Sequence, residues 1–209
     1  MTNRASSASL LASGPPGMAW IASAVLAVLA GLVIAVWIAH EMLTGPGVQD
    51  APQTFDPLIR EAALRHGISP CLIKAVILKE SGFDPGARGD AGEIGLMQVT
   101  VGAAEDWARH HKRSYGARGM LFAPRLNIEV GTWYLAKASR RWRKYRQADV
   151  LMLAQYNAGP SNARRWAPED PREKALERVR FPSTRTYIST VLEYRDEFEK
   201  KFLADETAH

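Results

Sequence analysis

Glu80 is the side chain in this sequence that is best placed to carry out acid–base chemistry. Residues 70–80 predict a helix that begins after Ser69, a common N-cap residue type, and ends at Ser81-Gly82. An apolar stripe at helical spacing predicts the buried face of this helix: Ile73, Val76 and Ile77. Glu80 continues that stripe in the last turn. A carboxyl group is therefore expected at the end of an apolar helix face.

Two physical effects raise the pKa that we expect for the Glu80 carboxyl. Partial burial against apolar side chains disfavours the charged form. The partial negative charge at the C-terminal end of a helix also disfavours an anion. A carboxyl that keeps its proton near neutral pH is suited to protonate a leaving oxygen. The alternative is a partly exposed glutamate that pairs with Lys79 or Arg88.

Three further stretches carry side chains that are suited to bind a sugar. Met97 and Gln98 close the tight turn 95–98, and the Gln98 amide both donates and accepts hydrogen bonds. Tyr156 and Asn157 end an apolar helix, and a tyrosine can stack on a sugar face while its hydroxyl makes a hydrogen bond. On their own, Tyr156 also fits a core aromatic and Asn157 a helix C-cap. The third stretch, 184–188, begins the last helix.

The elements that must position these residues are helices. No run of alternating apolar and polar residues is long enough for a central sheet. The predicted helices are 56–66, 70–80, 99–111, 124–145, 148–157, 160–166 and 183–203. The folded domain is therefore expected to be mainly α and to occupy residues 55–204.

The residues before the domain predict a membrane tether. Residues 1–17 are small and polar, as in a disordered tail, and residues 40–54 read as a Pro/Gly linker. Between them, residues 18–39 carry no charge, and their length of 22 residues suffices to span a ~30 Å hydrocarbon core as one helix. Trp20 and Trp37 lie near the two ends of this run, where interfacial aromatics belong.

A cleaved signal peptide is the alternative to this transmembrane anchor. Its apolar region would be about 7–15 residues long and would end in small residues. Val28-Leu29-Ala30 offers such a site, but the apolar run continues beyond it. Arg4 precedes the run, and the next basic residue after it is Arg60. The positive-inside rule therefore predicts that the N-terminus lies inside and the domain outside.

The domain is basic, and its composition limits the partners that we expect. The chain has 27 Lys and Arg against 22 Asp and Glu, and the part after residue 50 keeps 26 and 20 of these, a net charge of +6. Such a domain suits a cell-wall polymer or a membrane surface. The basic run 140–146 is interpreted as a solvated helix end, so no nucleic-acid partner is expected. No metal or other cofactor is expected, because the pair His110-His111 is isolated.

Taken together, three motifs resemble those of the soluble-lytic-transglycosylase (SLT) domain family. ESGF at 80–83, GLMQ at 95–98 and YNAG at 156–159 occur in the order and rough spacing of that family. The similarity also covers 126–128, 131–135 and the region of Tyr187, and it extends over about residues 57–198. The resemblance implies a goose-type, lysozyme-like fold that cleaves the glycan strands of bacterial peptidoglycan. With the tether, it implies a single-pass inner-membrane protein whose domain lies in the periplasm.

The resemblance also implies a role for each matching residue. Glu80 matches the single catalytic acid and base, and Ser81 the residue that orients the substrate beside it. The remaining matches are the floor and amide of the cleft, Met97 and Gln98; the groups that hold the sugar, Tyr156 and Asn157; and a tyrosine near the catalytic glutamate, Tyr187. Two residues depart from the pattern, since Ser183 stands where the family often has Glu and Gln155 where it commonly has Ala.

The implied mechanism uses one carboxyl for two proton transfers, whereas ordinary glycosidases use two carboxylates. Glu80 protonates the oxygen between N-acetylmuramic acid and N-acetylglucosamine, and then takes the proton of the muramyl 6-hydroxyl as it closes on C1. The product is a 1,6-anhydro end.

Two other functions remain open on the same residues. One is a hydrolytic muramidase in which Asp84, Asp90 or Glu93 activates water. The other is a non-catalytic glycan-binding subunit of an envelope-spanning machine, against which the intact Glu80 argues. Such machinery is also a possible partner of an active enzyme.

Overall fold

The computed structural model describes residues 47–207, together with Leu29 and Leu32. The expected tail at 1–17, nearly all of the expected anchor at 18–39 and the linker residues 40–46 lie outside the described residues. The chain divides into two units, Met1–Gly45 and Pro46–His209, and the following description concerns the second. No helix in the described part of the chain is long and apolar enough to cross a membrane.

The described part of the second unit is helical, as expected. Its α-helices are α1 (Asp56–His66), α2 (Pro70–Ser81), α3 (Val101–His111), α4 (Pro124–Trp142), α5 (Ala148–Trp166) and α6 (Pro182–Thr207). Short 3-10 segments at Val48–Asp50, Gln53–Phe55, Arg118–Phe122 and Leu176–Arg178 connect them. Within residues 47–207 there is no strand, and extended pairing is limited to isolated bridges of Ile94 with Arg88 and with Val99.

Local signals set the helix ends. Gly67 and Gly82 adopt left-handed φ angles of 67° and 59° and terminate α1 and α2, as predicted. Gly159 interrupts α5 with φ 84° and ψ 162°, so the chain turns there and a second helical segment begins at Pro160. Ser69 does occupy the N-cap of α2, but its side chain makes no capping hydrogen bond.

The pairing of α2 with α6 forms the centre of the domain. Ile73, Val76 and Ile77 of α2 are completely buried, as their spacing predicted, and Ile188 and Val191 of α6 are buried with them. The two helices run in opposite directions. Glu80 at the end of α2 meets Tyr187 near the start of α6, and Lys74 near the start of α2 lies over the ring of Phe198 further along α6.

Candidate active site

The carboxyl of Glu80 is held by a tyrosine from the opposite helix. The Tyr187 hydroxyl donates to Glu80 Oε1 over 2.7 Å, and Tyr187 itself is buried. The alternative pairing of Glu80 with Lys79 or Arg88 does not occur among the described ion pairs. The Arg88 guanidinium instead lies 4.5 Å from the ring centroid of Phe122. Glu80 is therefore a half-buried carboxyl that is hydrogen-bonded to Tyr187 rather than paired with a cation.

The environment of Glu80 raises its pKa to about 7. Burial is the main cause, because it disfavours the charged form, and the negative charge of Glu93 acts in the same direction. The hydrogen bond from Tyr187 and the charge of Lys79 oppose this increase. The predicted direction is confirmed, although the opposing hydrogen bond could not be predicted from local sequence. A carboxyl with this pKa is present in both protonation states at neutral pH, so it can give and take a proton.

Tyr156 lies close to Glu80, at the centre of the same site. Its hydroxyl donates to the carbonyl oxygen of Met97 over 2.7 Å, and its ring meets Tyr134 at a centroid distance of 5.9 Å. Burial, followed by the charge of Glu80, raises the pKa of Tyr156 well above its usual value. Tyr156 is therefore a neutral hydrogen-bonding group beside the Glu80 carboxyl. Its contact with a sugar stays a prediction.

A buried asparagine organises the turn that carries Met97. Asn127 Nδ2 donates to the carbonyl oxygens of Ile94 and Leu121, both at 2.7 Å, while Oδ1 accepts from Met97 N at 2.8 Å. Gly95 has φ 71°, and a Cβ there would lie 2.6 Å from Asn127 Nδ2. Only glycine fits this approach of the turn to α4.

Met97 packs into the interior rather than lining an open surface. Its side chain is completely buried against Gly131, where an added Cβ would lie 2.5 Å from the methionine sulfur. Thr132 Oγ1 also lies 3.8 Å from that sulfur. Because Met97 is completely buried, its expected place in the floor of a cleft stays a prediction.

Ser81 and Gln98 connect the end of α2 with the same turn. Ser81 Oγ lies 2.8 Å from the Leu96 carbonyl oxygen and 3.2 Å from that of Ile77, and it donates to these carbonyls. Gln98 has φ 45° and donates through Nε2 to the Gly95 carbonyl oxygen over 2.9 Å. These donors have partners inside the protein. The roles of both residues in orienting or binding a substrate stay predictions.

Asn157 is positioned by the start of α6. The buried Thr184 donates through Oγ1 to Asn157 Oδ1 over 2.8 Å. This bond uses the acceptor oxygen of the amide and leaves its nitrogen as a donor. Asn157 is exposed, so a substrate can reach it.

The three other carboxylates considered for catalysis differ in their contacts. Asp84 Oδ1 accepts from Gly86 N at 2.7 Å, and Asp90 is exposed. Glu93 Oε2 accepts from Ala91 N at 3.1 Å. Of the three, only Glu93 contributes to the raised pKa of Glu80. A second catalytic carboxylate, if the reaction used one, would therefore be Glu93.

The two departures from the family pattern have simple structural outcomes. Gln155 is buried, and its Oε1 accepts from Trp142 Nε1 over 3.0 Å, so its extra length forms an internal hydrogen bond. Ser183 is exposed at the start of α6.

Asn127 and Thr184 lie in the stretches 126–128 and 184–188 named from the sequence, but no role was predicted for either, although both hydrogen-bond to candidate site residues. The available signal was a polar side chain inside an apolar helical run, since Asn127 stands between Leu126 and Ile128. Such a residue needs buried hydrogen-bond partners, but the sequence does not identify them.

Comparisons with known proteins find similar sequences of one family. The model of the transglycosylase SLT domain family matches residues 57–178. The soluble lytic murein transglycosylase of Escherichia coli K12 is 28% identical over 159 residues, which cover 74% of this chain and 24% of that protein. The membrane-bound lytic murein transglycosylase C of Actinobacillus pleuropneumoniae serotype 5b is 37% identical over 102 residues, covering 48% of this chain and 28% of that protein.

A solved structure shows the same fold. An inactive glutamate-to-glutamine mutant of the lytic transglycosylase Slt from Pseudomonas aeruginosa superposes with a TM-score of 0.66 at 28% identity. The match covers 74% of this chain and 25% of that one. The present chain thus spans about a quarter of the length of the relatives it matches.

Proposed function

The chain belongs to the transglycosylase SLT domain family, and from that premise we propose that it is a peptidoglycan lytic transglycosylase. Its substrate is the β-1,4 bond between N-acetylmuramic acid and N-acetylglucosamine, and its product carries a 1,6-anhydro-muramyl end. The observation that carries this proposal is the half-buried Glu80 held by Tyr187, whose pKa of about 7 suits a group that acts first as acid and then as base.

The proposed reaction proceeds in two proton transfers at one carboxyl. Protonated Glu80 gives its proton to the glycosidic oxygen as the C1–O bond breaks, and the neighbouring acetamido group stabilises the cationic sugar. The Glu80 carboxylate then takes the proton of the muramyl 6-hydroxyl while that oxygen bonds to C1. No water is consumed, and Glu80 ends in its starting state. Tyr187 steadies the carboxylate between the two steps through its hydrogen bond.

The remaining site residues are proposed to hold the glycan. The Asn157 amide nitrogen donates to a sugar oxygen, and the faces of Tyr156 and Tyr134 provide an aromatic wall. Gln98 and Ser81 hold the turn 95–98 and the end of α2 in fixed positions through their hydrogen bonds. This maintains the distance between the Glu80 carboxyl and the scissile bond.

We also propose that residues 18–39 anchor the protein in the inner membrane and that the domain works in the periplasm. The support is the length of the uncharged run and the position of Arg4 before it. Fractionation of cells checks this topology. An intact protein that resists alkaline extraction from membranes is expected, whereas a shortened soluble species would contradict the anchor.

The test of the activity is the mass of the products. The detergent-solubilised full chain is incubated with purified peptidoglycan, and the fragments are weighed by mass spectrometry. Muramyl ends that are lighter by one water than hydrolysis products are expected. Glu80→Gln should lower the rate by at least about 10²–10⁴-fold, the usual value of one positioned acid or base. Glu93→Gln, Asp84→Asn and Asp90→Asn are the matched controls and should retain most of the rate.

Two results would contradict the proposal. Reducing muramyl ends together with a severe loss in Glu93→Gln would indicate a two-carboxylate hydrolase. Binding without any cleavage by the wild-type protein would indicate a non-catalytic glycan-binding subunit.

A further inference from the structure

A second surface feature lies at the opposite end of the α2–α6 pair from Glu80. It is a groove of about 660 Å³, called here the basal groove. Its apolar lining includes Val48, Ile59, Phe198 and Phe202. Phe202, which lines the groove and forms its rim, is 54% exposed, and Leu203, the next residue along the helix, is 60% exposed. Two large apolar side chains side by side in solvent are typical of an interaction surface.

The lining of the basal groove is also cationic. Its charged members are Arg60, Lys74 and Lys201 against Asp56, a net charge of +2. Asp56 lies 2.8 Å from Lys74, whereas Arg60 and Lys201 have no acidic partner among the described ion pairs. The nearby exposed acids in the described part of α6 are Asp196, Glu197 and Glu199, and the carboxylates of Asp196 and Glu199 lie 2.7 Å and 3.9 Å from Arg195. Asp205 and Glu206 follow in the sequence.

The chain reaches the domain at this groove. Val48, which lies just after the start of the described segment, is buried in the lining. Residues 40–46 separate it from the uncharged run 18–39. Because an extended chain spans at most about 3.3–3.6 Å per residue, Gly47 must stay within about 30 Å of the end of that run.

We propose that the basal groove and its rim dock on the anionic phospholipid surface of the membrane that holds residues 18–39, an inference that rests on the proposed anchoring. Phe202 and Leu203 enter the headgroup region, while Arg60 and Lys201 lie among the anionic headgroups. An apolar rim with flanking cations is the combination that binds such an interface. The short tether favours the lipid surface over a distant protein partner, because it keeps the local lipid concentration high.

Docking of this kind would set the height of the catalytic site. Tyr187 and Phe202 lie on the same helix, about 22 Å apart along its axis at 1.5 Å per residue. The start of α6 and the Glu80–Tyr187 pair would then lie away from the bilayer, on the side where the wall polymer is found. The enzyme would therefore act on glycan strands at a fixed distance from the membrane rather than sweep freely on its tether.

The test places a fluorophore at each end of α6 in the full-length chain. Cys71 is the only cysteine, so Cys71→Ser provides a background for single labelling sites. Phe202→Cys reports on the basal groove. Phe181→Cys is the matched control, an exposed phenylalanine (46%) next to the N-terminal end of the same helix. Each labelled protein is reconstituted into nanodiscs of phosphatidylglycerol with phosphatidylcholine, or of phosphatidylcholine alone, with nitroxide on the headgroups.

In the anionic discs, we expect the label in Phe202→Cys to be quenched at least twofold more strongly than the label in Phe181→Cys. In the neutral discs, we expect a smaller difference between the two labels. Arg60→Gln combined with Lys201→Gln should reduce the difference in the anionic discs toward its value in the neutral ones. Equal quenching of both labels in discs that contain the protein would overturn the docking proposal and leave the anchor standing. If the protein does not enter the discs, both the docking proposal and the proposed membrane anchor are overturned. The activity on peptidoglycan is measured separately. Shielding of the label in Phe202→Cys from aqueous iodide in detergent alone would show that a second copy of the chain covers the groove, which would also overturn the docking proposal.

Discussion

The two ends of the α2–α6 pair hold their polar groups in opposite ways. At the proposed catalytic end, Glu80 is half-buried where its charge is disfavoured, and two non-glycine residues nearby, Phe83 and Gln98, have φ angles of 67° and 45°. At the groove end, Lys74 lies 2.8 Å from Asp56 and packs over Phe198, and none of the described residues that line the groove has a positive φ.

This difference indicates where the domain gains stability and where it gives some up. Unusual backbone angles and a buried ionisable group each lower stability, and they persist when the surrounding structure enforces them. Here the enforcing contacts are the apolar packing of α2 on α6 and the ordinary ion pair at the other end. The following predictions test that division of roles.

The largest effect is expected from Phe198→Ala at the groove end. Removing a buried aromatic side chain typically costs about 3–5 kcal/mol, and the open groove beside Phe198 places this site near the lower value. Urea unfolding of the detergent-solubilised chain measures the loss. The pH dependence of activity should be unchanged under conditions where the variant is folded. A shifted pH profile would show that the two ends are not separate.

At the other end of the helix pair, Glu80→Gln should change the free energy of unfolding in the opposite direction. It should stabilise the protein above pH 7. The folded-state pKa of about 7 exceeds the ordinary value of 4.5, so folding favours the protonated carboxyl. Its stabilising contribution is full below pH 4.5 and is lost as the pH rises through 7. At about 1.36 kcal/mol per pKa unit, the largest stabilisation that we expect from Glu80→Gln is about 3 kcal/mol.

Unfolding free energies of wild type and Glu80→Gln at pH 4.5 and pH 8 check this prediction. The difference between the two proteins should be small at the lower pH and should grow in favour of the variant at the higher pH. Glu93→Gln serves as the control for the loss of a nearby charge. A variant that is less stable than wild type at pH 8 would show that Glu80 is not a source of instability.

Tyr187→Phe should move the alkaline limb of the pH–rate profile to higher pH. The Tyr187 hydroxyl donates to the Glu80 carboxylate and so lowers its pKa, and removing the hydroxyl lets the proton stay to higher pH. A hydrogen bond to a charged group contributes about 1.5–3 kcal/mol, which corresponds to a shift of about one pH unit or more. The profile of kcat/KM measures it, with Tyr194→Phe on the same helix as the control. If the alkaline limb does not move, it reports the titration of a group other than Glu80.

The smallest effect is expected from Tyr156→Phe. The variant loses the hydrogen bond to the Met97 carbonyl oxygen, which should lower the free energy of unfolding by about 0.5–1.5 kcal/mol. Turnover should fall as well, because the turn that carries Gln98 loosens. Tyr145→Phe, outside the site, is the control for stability. If kcat/KM falls while stability is unchanged, the hydroxyl contacts the substrate rather than the turn.

Short-range features of the sequence determined much of this protein. Gly67, Gly82 and the Gly159-Pro160 pair ended or interrupted helices where predicted, because backbone conformation responds to residues only a few positions away. The stripe that ends in Glu80 placed the carboxyl on a buried face and predicted the direction of its pKa. The motifs at 80–83, 95–98 and 156–159 indicated the family to which the chain belongs.

Only the tertiary structure decided which groups meet. Tyr187 reaches Glu80 across 107 residues, and Tyr156 reaches the Met97 carbonyl across 59. The hydroxyl of Ser81 donates to the Leu96 carbonyl oxygen, and the side chain of Ser69 makes no capping hydrogen bond at the start of α2. The hydrogen bonds between distant residues depend on the position of α2 along α6 and on the packing of the turn 95–98 against Asn127. Those distances result from the packing of many side chains at once, so no local pattern in the sequence encodes them.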